Sequence, residues 1–275
     1  MVFYSLTIRT NFGELILNSM NKKLLLTIIA ALTMTFAKAG SKQDSVSAFR
    51  GKNMVKLNLT ALPLNTYSGI YERAIGKKIA VGIGYRHMPK GKLPMLSRIE
   101  SLIDDEETNA HLRNLKMGSY SITPEIKFYF GKDVFRGFYI APFGRYSVYS
   151  LDWPYEYEYE ENGATKKENI LLKGDVKTMT GGLLFGAQWK LSKRIYLDWF
   201  IIGPNAGSVD GTITGTGDLS DPDKRQALDD AIQDLADSDI PFVKIEGETS
   251  STGAKIKFSG PWAGLRGGIN LGFRF

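Results

Sequence analysis

Cysteine is absent from the 275 residues, and histidine is nearly so, with only His87 and His111. Without thiols the chain has neither a disulfide framework nor thiolate chemistry. Two histidines in separate segments make a poor metal centre, and neither is followed two residues later by a serine that would complete a hydrolase-like pair. No nucleophile and base stand together, so no catalytic residue, metal or cofactor is assigned and the chain is expected not to be an enzyme. The acidic stretch from Asp210 to Asp239 lacks the D-x-[DN]-x-[DN]-G spacing of a calcium loop. Gly82-x-Gly84 opens no helix, so small residues packing a narrow interior explain it better than phosphate binding. The formal charge is +6, but residues 1 to 39 hold four bases and one acid, which leaves about +3 on the remainder. That is no nucleic-acid footprint. Long hydrophobic runs are missing too: the stretch from Leu24 to about Phe36 falls short of the roughly 20 residues a spanning helix needs.

That short run has another use. From Met20, the text MNKKLLLTIIAALTMTFAKA sets Lys22 and Lys23 before the apolar run and Ala37-Lys38-Ala39 after it, the parts of a cleaved secretory signal peptide. Residues 1 to 19 stand ahead of this signal and are read as an early start codon. The organisation expected is an N-terminal extension and signal over 1–39, a polar lead-in over 40–52 and one folded domain over 53–275.

Strand patterns with a period of two recur through that domain. Val55, Leu57 and Leu59 alternate with Lys56, Asn58 and Thr60. Runs at about 66 to 75 and 78 to 87 meet at Gly76-Lys77, a tight hairpin. Further runs lie at about 119 to 130, 138 to 149, 178 to 191 and 194 to 202. The last, Leu265 to Phe275, sets Leu265, Ile269, Leu271, Phe273 and Phe275 on one face against Arg266, Asn270 and Arg274 on the other. Eight strands are therefore predicted. Apart from the first, the links alternate between a few residues and long stretches (about 88 to 118, 150 to 177 and 203 to 264), so short links share one rim and long ones the other.

This alternation predicts an all-β fold: an eight-stranded antiparallel transmembrane barrel with short periplasmic turns and long extracellular loops. A soluble lipocalin-like barrel would carry the same alternation with its apolar face turned inward. The charges opposite the apolar residues favour a polar interior instead. Glu72, Arg86, Glu125, Lys127, Arg145, Asp198 and Arg266 are expected to form an ion-pair network there, in an interior only about wide enough for side chains. Tyr85, Tyr120, Tyr146 and Trp199 fall toward the long-loop rim, and Phe128, Phe130, Phe138, Trp189, Phe273 and Phe275 toward the short-turn rim, as two aromatic girdles.

The long links carry their own signals. Pro94 and the apolar residues from Met95 to Ile103 predict a short helix, and His111 falls in a polar loop. Asp221, Pro222 and the spacing of Ala227, Leu228, Ala231, Ile232 and Leu235 predict a second, acidic surface helix. Trp153, Tyr155, Tyr157 and Tyr159 alternate with glutamates in an extension of the fifth strand. They are the candidate contact residues for an extracellular glycan or protein ligand, because aromatic side chains offer large contact area at low entropic cost.

The closing strand, cationic on one face and ending Leu271, Phe273, Phe275, resembles the last strand of Gram-negative outer-membrane β-barrels. That resemblance implies that these three residues form a C-terminal signal read by the barrel-assembly machinery. From Lys52 to about Pro94, and most specifically in Val55-Lys56-Leu57-Asn58-Leu59 and Tyr71-Glu72-Arg73-Ala74-Ile75-Gly76, the chain also resembles a family of small outer-membrane β-barrel proteins of largely unassigned function. It implies a fold, the cell outer membrane and contact with its lipid, but no catalytic residues. The expected role is structural or surface-interacting, closed to bulk solute flow; a lipid-modifying enzyme, a small-solute carrier and the soluble periplasmic barrel are the alternatives.

Overall fold

The structure, a computed structural model, describes residues 51–101, 106–161, 163–237 and 244–275. The predicted signal peptide and most of the lead-in lie outside the described residues.

Nine antiparallel strands form one sheet: β1 (Asn53–Asn58), β2 (Tyr67–Ala74), β3 (Ile79–Lys92), β4 (Lys116–Tyr129), β5 (Gly137–Glu161), β6 (Ala164–Lys190), β7 (Ile195–Thr216), β8 (Lys244–Ser250) and β9 (Gly253–Arg274). Neighbours follow chain order from β1 to β7; β7 then pairs with β9, and β9 returns to β1 through Val55↔Phe273 and Leu57↔Leu271. Backbone bonds between Asn53 and Phe275 in both directions fasten the seam at the chain's end, so the ring has no free edge there. The sheet holds nine strands against the eight predicted: β1 to β7 and β9 close the ring, and β8 pairs with β9 between Gly253 and Ser259, away from the seam.

Larger corrections concern the long links. The β5–β6 hairpin stays in register from Gly137↔Gln188 to Glu161↔Ala164. β7 and β9 pair as far as Thr216↔Gly253. What reads as irregular loop is therefore mostly strand. The period of two continues through these segments while the polarity of each face reverses, so a search for apolar outward positions stops too early. β7 adds a bulge at Ile201 and Ile202, where its register with both neighbours shifts and both side chains are exposed; the inward-facing positions move from even to odd numbers across it.

Among the described residues, three α-helices complete the long-hairpin side. α1 (Leu96–Glu100) is shorter than predicted and starts after Met95, with Pro94 outside it. α2 (Glu106–Asn114) stands where the sequence predicts a loop, taking His111 with it; Arg113 joins it to α1 through Glu100 (2.6 Å) and pairs within α2 with Glu106 (2.7 Å). α3 (Pro222–Asp237) matches its prediction: the Asp221 carboxylate accepts the Asp223 backbone N–H at 2.9 Å and Pro222 opens the first turn.

α3 is more than an acidic surface helix. Leu228 and Ile232 are buried in a cluster with Tyr157, Tyr159, Ile170, Leu172, Ile213, Ile245 and Ile256. Thr249 of β8 donates to Asp229 at 2.6 Å. Gly247 lets helix and strand meet, since a Cβ there would stand 1.9 Å from the Ile232 side chain.

Candidate functional site

The ring's interior holds most of the polar chemistry. Strand alternation sends Lys56, Glu72, Glu125, Lys127, Gln188 and Asp198 inward, where all are buried. Glycine at position 82 makes room for two of them, because a Cβ there would press on the Glu72 and Glu125 side chains at 3.1 and 3.3 Å. Lys127 lies 2.6 Å from Glu72, 2.9 Å from Asp198 and 3.5 Å from Glu125, and Lys56 lies 2.6 Å from Glu72 and also bonds Asp198. Tyr139 donates to Asp198 at 2.7 Å and Tyr129 to Gln188 at 2.8 Å. Arg266 pairs with Glu125 at 2.6 Å and lies over the Phe143 and Phe200 rings.

Of the seven residues expected in the interior network, five meet in it: Glu72, Glu125, Lys127, Asp198 and Arg266. Arg86 and Arg145 do not join. Among the described residues neither has a carboxylate partner; Arg145 donates to the Ser121 hydroxyl at 2.9 Å, and its buried Nε finds no acceptor. Lys56 belongs at the centre, although it was noted in the sequence only as an inward charge. Gln188, Tyr129 and Tyr139 were missed as members. Their signal is parity: each shares the inward phase of a charged residue on its own or the adjacent strand.

Below this network the interior is filled. The short β4–β5 turn folds Val134 and Phe135 back among Met54, Tyr129, Tyr139 and Tyr196. Phe135 has a φ of 67°, a left-handed conformation rare for a bulky residue. Burial of its ring, edge-on to Tyr129 at 6.2 Å and beneath the Arg274 guanidinium at 5.1 Å, offsets that strain.

Outside the ring the polarity is apolar. Met179 is 70% exposed and Leu265 71%, and Ile83, Tyr85, Ile122, Ile126 and Phe138 also face out. Leu271, Phe273 and Phe275, the expected C-terminal signal, lie on this outer face, with the two phenyl rings stacked at 6.5 Å. Trp199 stacks on Trp189 at 6.5 Å, so it sides with the short-turn rim and not with the opposite rim as predicted.

The candidate contact residues require correction. Tyr157 and Tyr159 are buried, and Trp153 and Tyr155 pack against the same cluster. On β5 they occupy the inward parity, and α3, with the strands behind it, covers them; the glutamates between them take the outer face. These aromatics pack into the upper core, and Tyr155 and Tyr157 also line an open groove beside α2 and α3. Burial pushes the Tyr157 phenol pKa up, with Glu168 adding to the effect. On the same sheet a hydrogen bond to Glu168 holds the Lys224 ammonium above the ordinary lysine range.

His87 lies within β3, paired with Tyr67 and Tyr120, on the exposed face. No cluster of three or more metal-ligating side chains occurs among the described residues, and no helix there is long and apolar enough to cross a membrane, which says nothing of strands.

No curated protein matches the chain. Among solved structures, the N-terminal β-barrel domain of Pseudomonas aeruginosa OprF is similar with a TM-score of 0.26 and 7% identity, over 82% of this chain and 100% of that one. The family described as "Protein of unknown function (DUF3575)" matches residues 24–203, most of the ring included. By that match the chain belongs to the DUF3575 family.

Proposed function

We propose that this protein is an outer-membrane β-barrel, closed to bulk solute flow, that presents a rigid sheet-and-helix platform on the outer side of the membrane. The observation that carries this reading is the inverted polarity of the ring. Apolar side chains cover its outside while Glu72, Lys127 and Asp198 are fully or almost fully buried inside it. Water-soluble proteins rarely expose a contiguous apolar patch beyond a few hundred Å², and a lipocalin-like barrel would place these faces the other way.

Dimensions agree with a bilayer. On β4 the outward apolar run from Tyr120 to Phe130 spans about ten residues, or about 33 Å along a strand at ~3.3 Å per residue. At a tilt of about 40° it covers about 25 Å of height, the usual apolar band of such barrels. Closure follows from the filled interior: the ion-pair network obstructs the middle, and Phe135 obstructs the short-turn end.

Beyond the belt, an open groove between α2, β5 and α3 carries Glu106, Glu156, Glu158, Asp230 and Asp234 against Lys167. We assign contact with an extracellular partner to this acidic groove. The test is fractionation together with electrophoresis: the protein is expected in the outer-membrane fraction, with a mobility in detergent that changes on boiling. Recovery in the soluble periplasm with no heat-dependent shift would overturn the proposal. Large, stable conductance of the monomer in planar bilayers would overturn closure alone.

A further inference from the structure

In the middle of the ring the charges balance: Lys56, Lys127 and Arg266 face Glu72, Glu125 and Asp198, three cations against three carboxylates in direct contact. Arg274, at the short-turn end, lies over the Phe135 ring and donates to the Gly51 carbonyl and the Tyr196 hydroxyl. Arg86 and Arg145 stand apart from both. The strand ladder brings them together: Arg86 stands opposite Ser121 across β3 and β4, and Arg145 on β5 donates to the same Ser121 hydroxyl at 2.9 Å. Together with Arg266, Ser68 and Thr123 they line a cavity of about 90 Å³. Two partly buried guanidiniums without a carboxylate are costly unless something negative joins them.

The cavity also has an entrance. β1 and β2 are short, so the rim is lowest where Thr60, Ala61 and Leu64 of their connecting turn line the cavity. On either side the wall continues upward, as β3 to Lys92 and as β9 back to Gly253. A small solute arriving from the long-hairpin side meets this notch first.

We propose that the cavity binds a small oxyanion, a phosphate or carboxylate group, between Arg86 and Arg145, with Ser121 as a positioning residue that aims Arg145. Planar guanidiniums take such groups in paired, charge-assisted hydrogen bonds. With about 90 Å³ between the two guanidiniums and the turn, the cavity has room for an anionic group of this size. The site depends on the ring and not on the lipid around it, so it stands or falls separately from the membrane assignment.

The test is calorimetric titration of the purified, detergent-solubilised protein at constant ionic strength with inorganic phosphate, acetate and glycerol phosphate. Saturable binding of at least one probe is expected, weakened about tenfold to a hundredfold by Arg145→Gln or Arg86→Gln and to a smaller extent by Ser121→Ala. Inorganic phosphate binding alone identifies a free ion as ligand; glycerol phosphate binding as well identifies a phosphate group on a larger solute entering by the notch. Phosphate should also raise the unfolding temperature of the parent and not of the double variant. Because neither arginine neutralises a carboxylate, the double variant should fold at least as well as the parent without anion. Unfolding of that variant, undiminished binding by it once folded, or no saturable binding by the parent would each overturn the site.

Discussion

Strand β6 passes through two regions that obey opposite rules. Between about Thr178 and Lys190 its inward residues include Thr178, Thr180 and Gln188, with Leu184 as the apolar exception, and its outward ones Met179, Leu183 and Phe185; between Ala164 and Lys177 the inward residues include Ile170, Leu172 and Val176, and the outward ones, Leu171 apart, are Lys167, Asn169, Lys173, Asp175 and Lys177. The backbone keeps one face inward throughout, with every inward position even-numbered. Only the side chains trade places. The ring is thus built like a membrane barrel, polar within and apolar without, whereas the upper sheet with α3 is built like a water-soluble domain around Leu228 and Ile232. One continuous strand can serve both because the hydrophobic effect follows the surrounding medium and not the hydrogen-bond ladder. Glycines on the inner face of β7, at 203, 207, 211 and 215, accompany it through the change.

The comparison can be broken most severely from within the ring. Asp198→Asn leaves Lys56 and Lys127 facing Glu72 with one charge uncompensated, and should cost about 3–5 kcal/mol in denaturant unfolding of the detergent-folded protein. Replacing Lys56, Glu72, Lys127 and Asp198 together by apolar residues of similar volume should be far milder, neutral or even stabilising. A quadruple variant less stable than the single one would mean that the network holds the ring by attraction and not merely by mutual neutralisation.

In the upper sheet the sensitive group is apolar. Leu228→Ala should cost about 2–5 kcal/mol, but only locally: limited proteolysis should attack α3 faster while the heat-dependent gel shift of the ring persists. Loss of the shift would show that the two regions unfold as one unit.

The outer surfaces should differ next. Ile83→Arg, in the middle of the apolar belt, should destabilise the bilayer-inserted protein by about 2–4 kcal/mol. Thr214→Arg, on the outer face of the upper sheet, should stay within about 0.5 kcal/mol. Equal small effects at both positions would remove the ground for a membrane assignment. A small effect is expected from Lys224→Met, which loses a half-buried pair with Glu168 and a contact over the Tyr159 ring and should lower the unfolding midpoint only slightly.

How much of this was legible beforehand depended on which medium a segment faces. Alternation alone located the ring strands, the chain-end seam and the inward charges, since Lys56, Glu72, Glu125, Lys127 and Asp198 interrupt otherwise apolar runs at strict intervals of two. The same rule failed from Ser150 to Lys177 and from Gly203 to Gly264. There the apolar residues switch faces, and the bulge at Ile201 and Ile202 alters the parity, so a fixed phase finds most of these segments irregular. Tyr155, Tyr157 and Tyr159 illustrate the consequence: the Tyr-Glu alternation reveals a strand, but its tyrosine side reads as exposed because α3, which covers it, is distant in sequence.

The sequence by itself determined the secondary-structure period, the cap and register of α3, and the sign and parity of every interior charge, because these follow from local geometry and side-chain chemistry. Which charges touch was decided only by closure of the ring. Lys56 and Asp198 lie 142 residues apart, and their meeting depends on β1, β7 and β9 being brought side by side by pairings that no local pattern specifies. The unpaired state of Arg86 and Arg145 was decided in the same way: an arginine's charge is written in the sequence, but whether a carboxylate reaches it depends on the height at which each strand places its side chain within the ring.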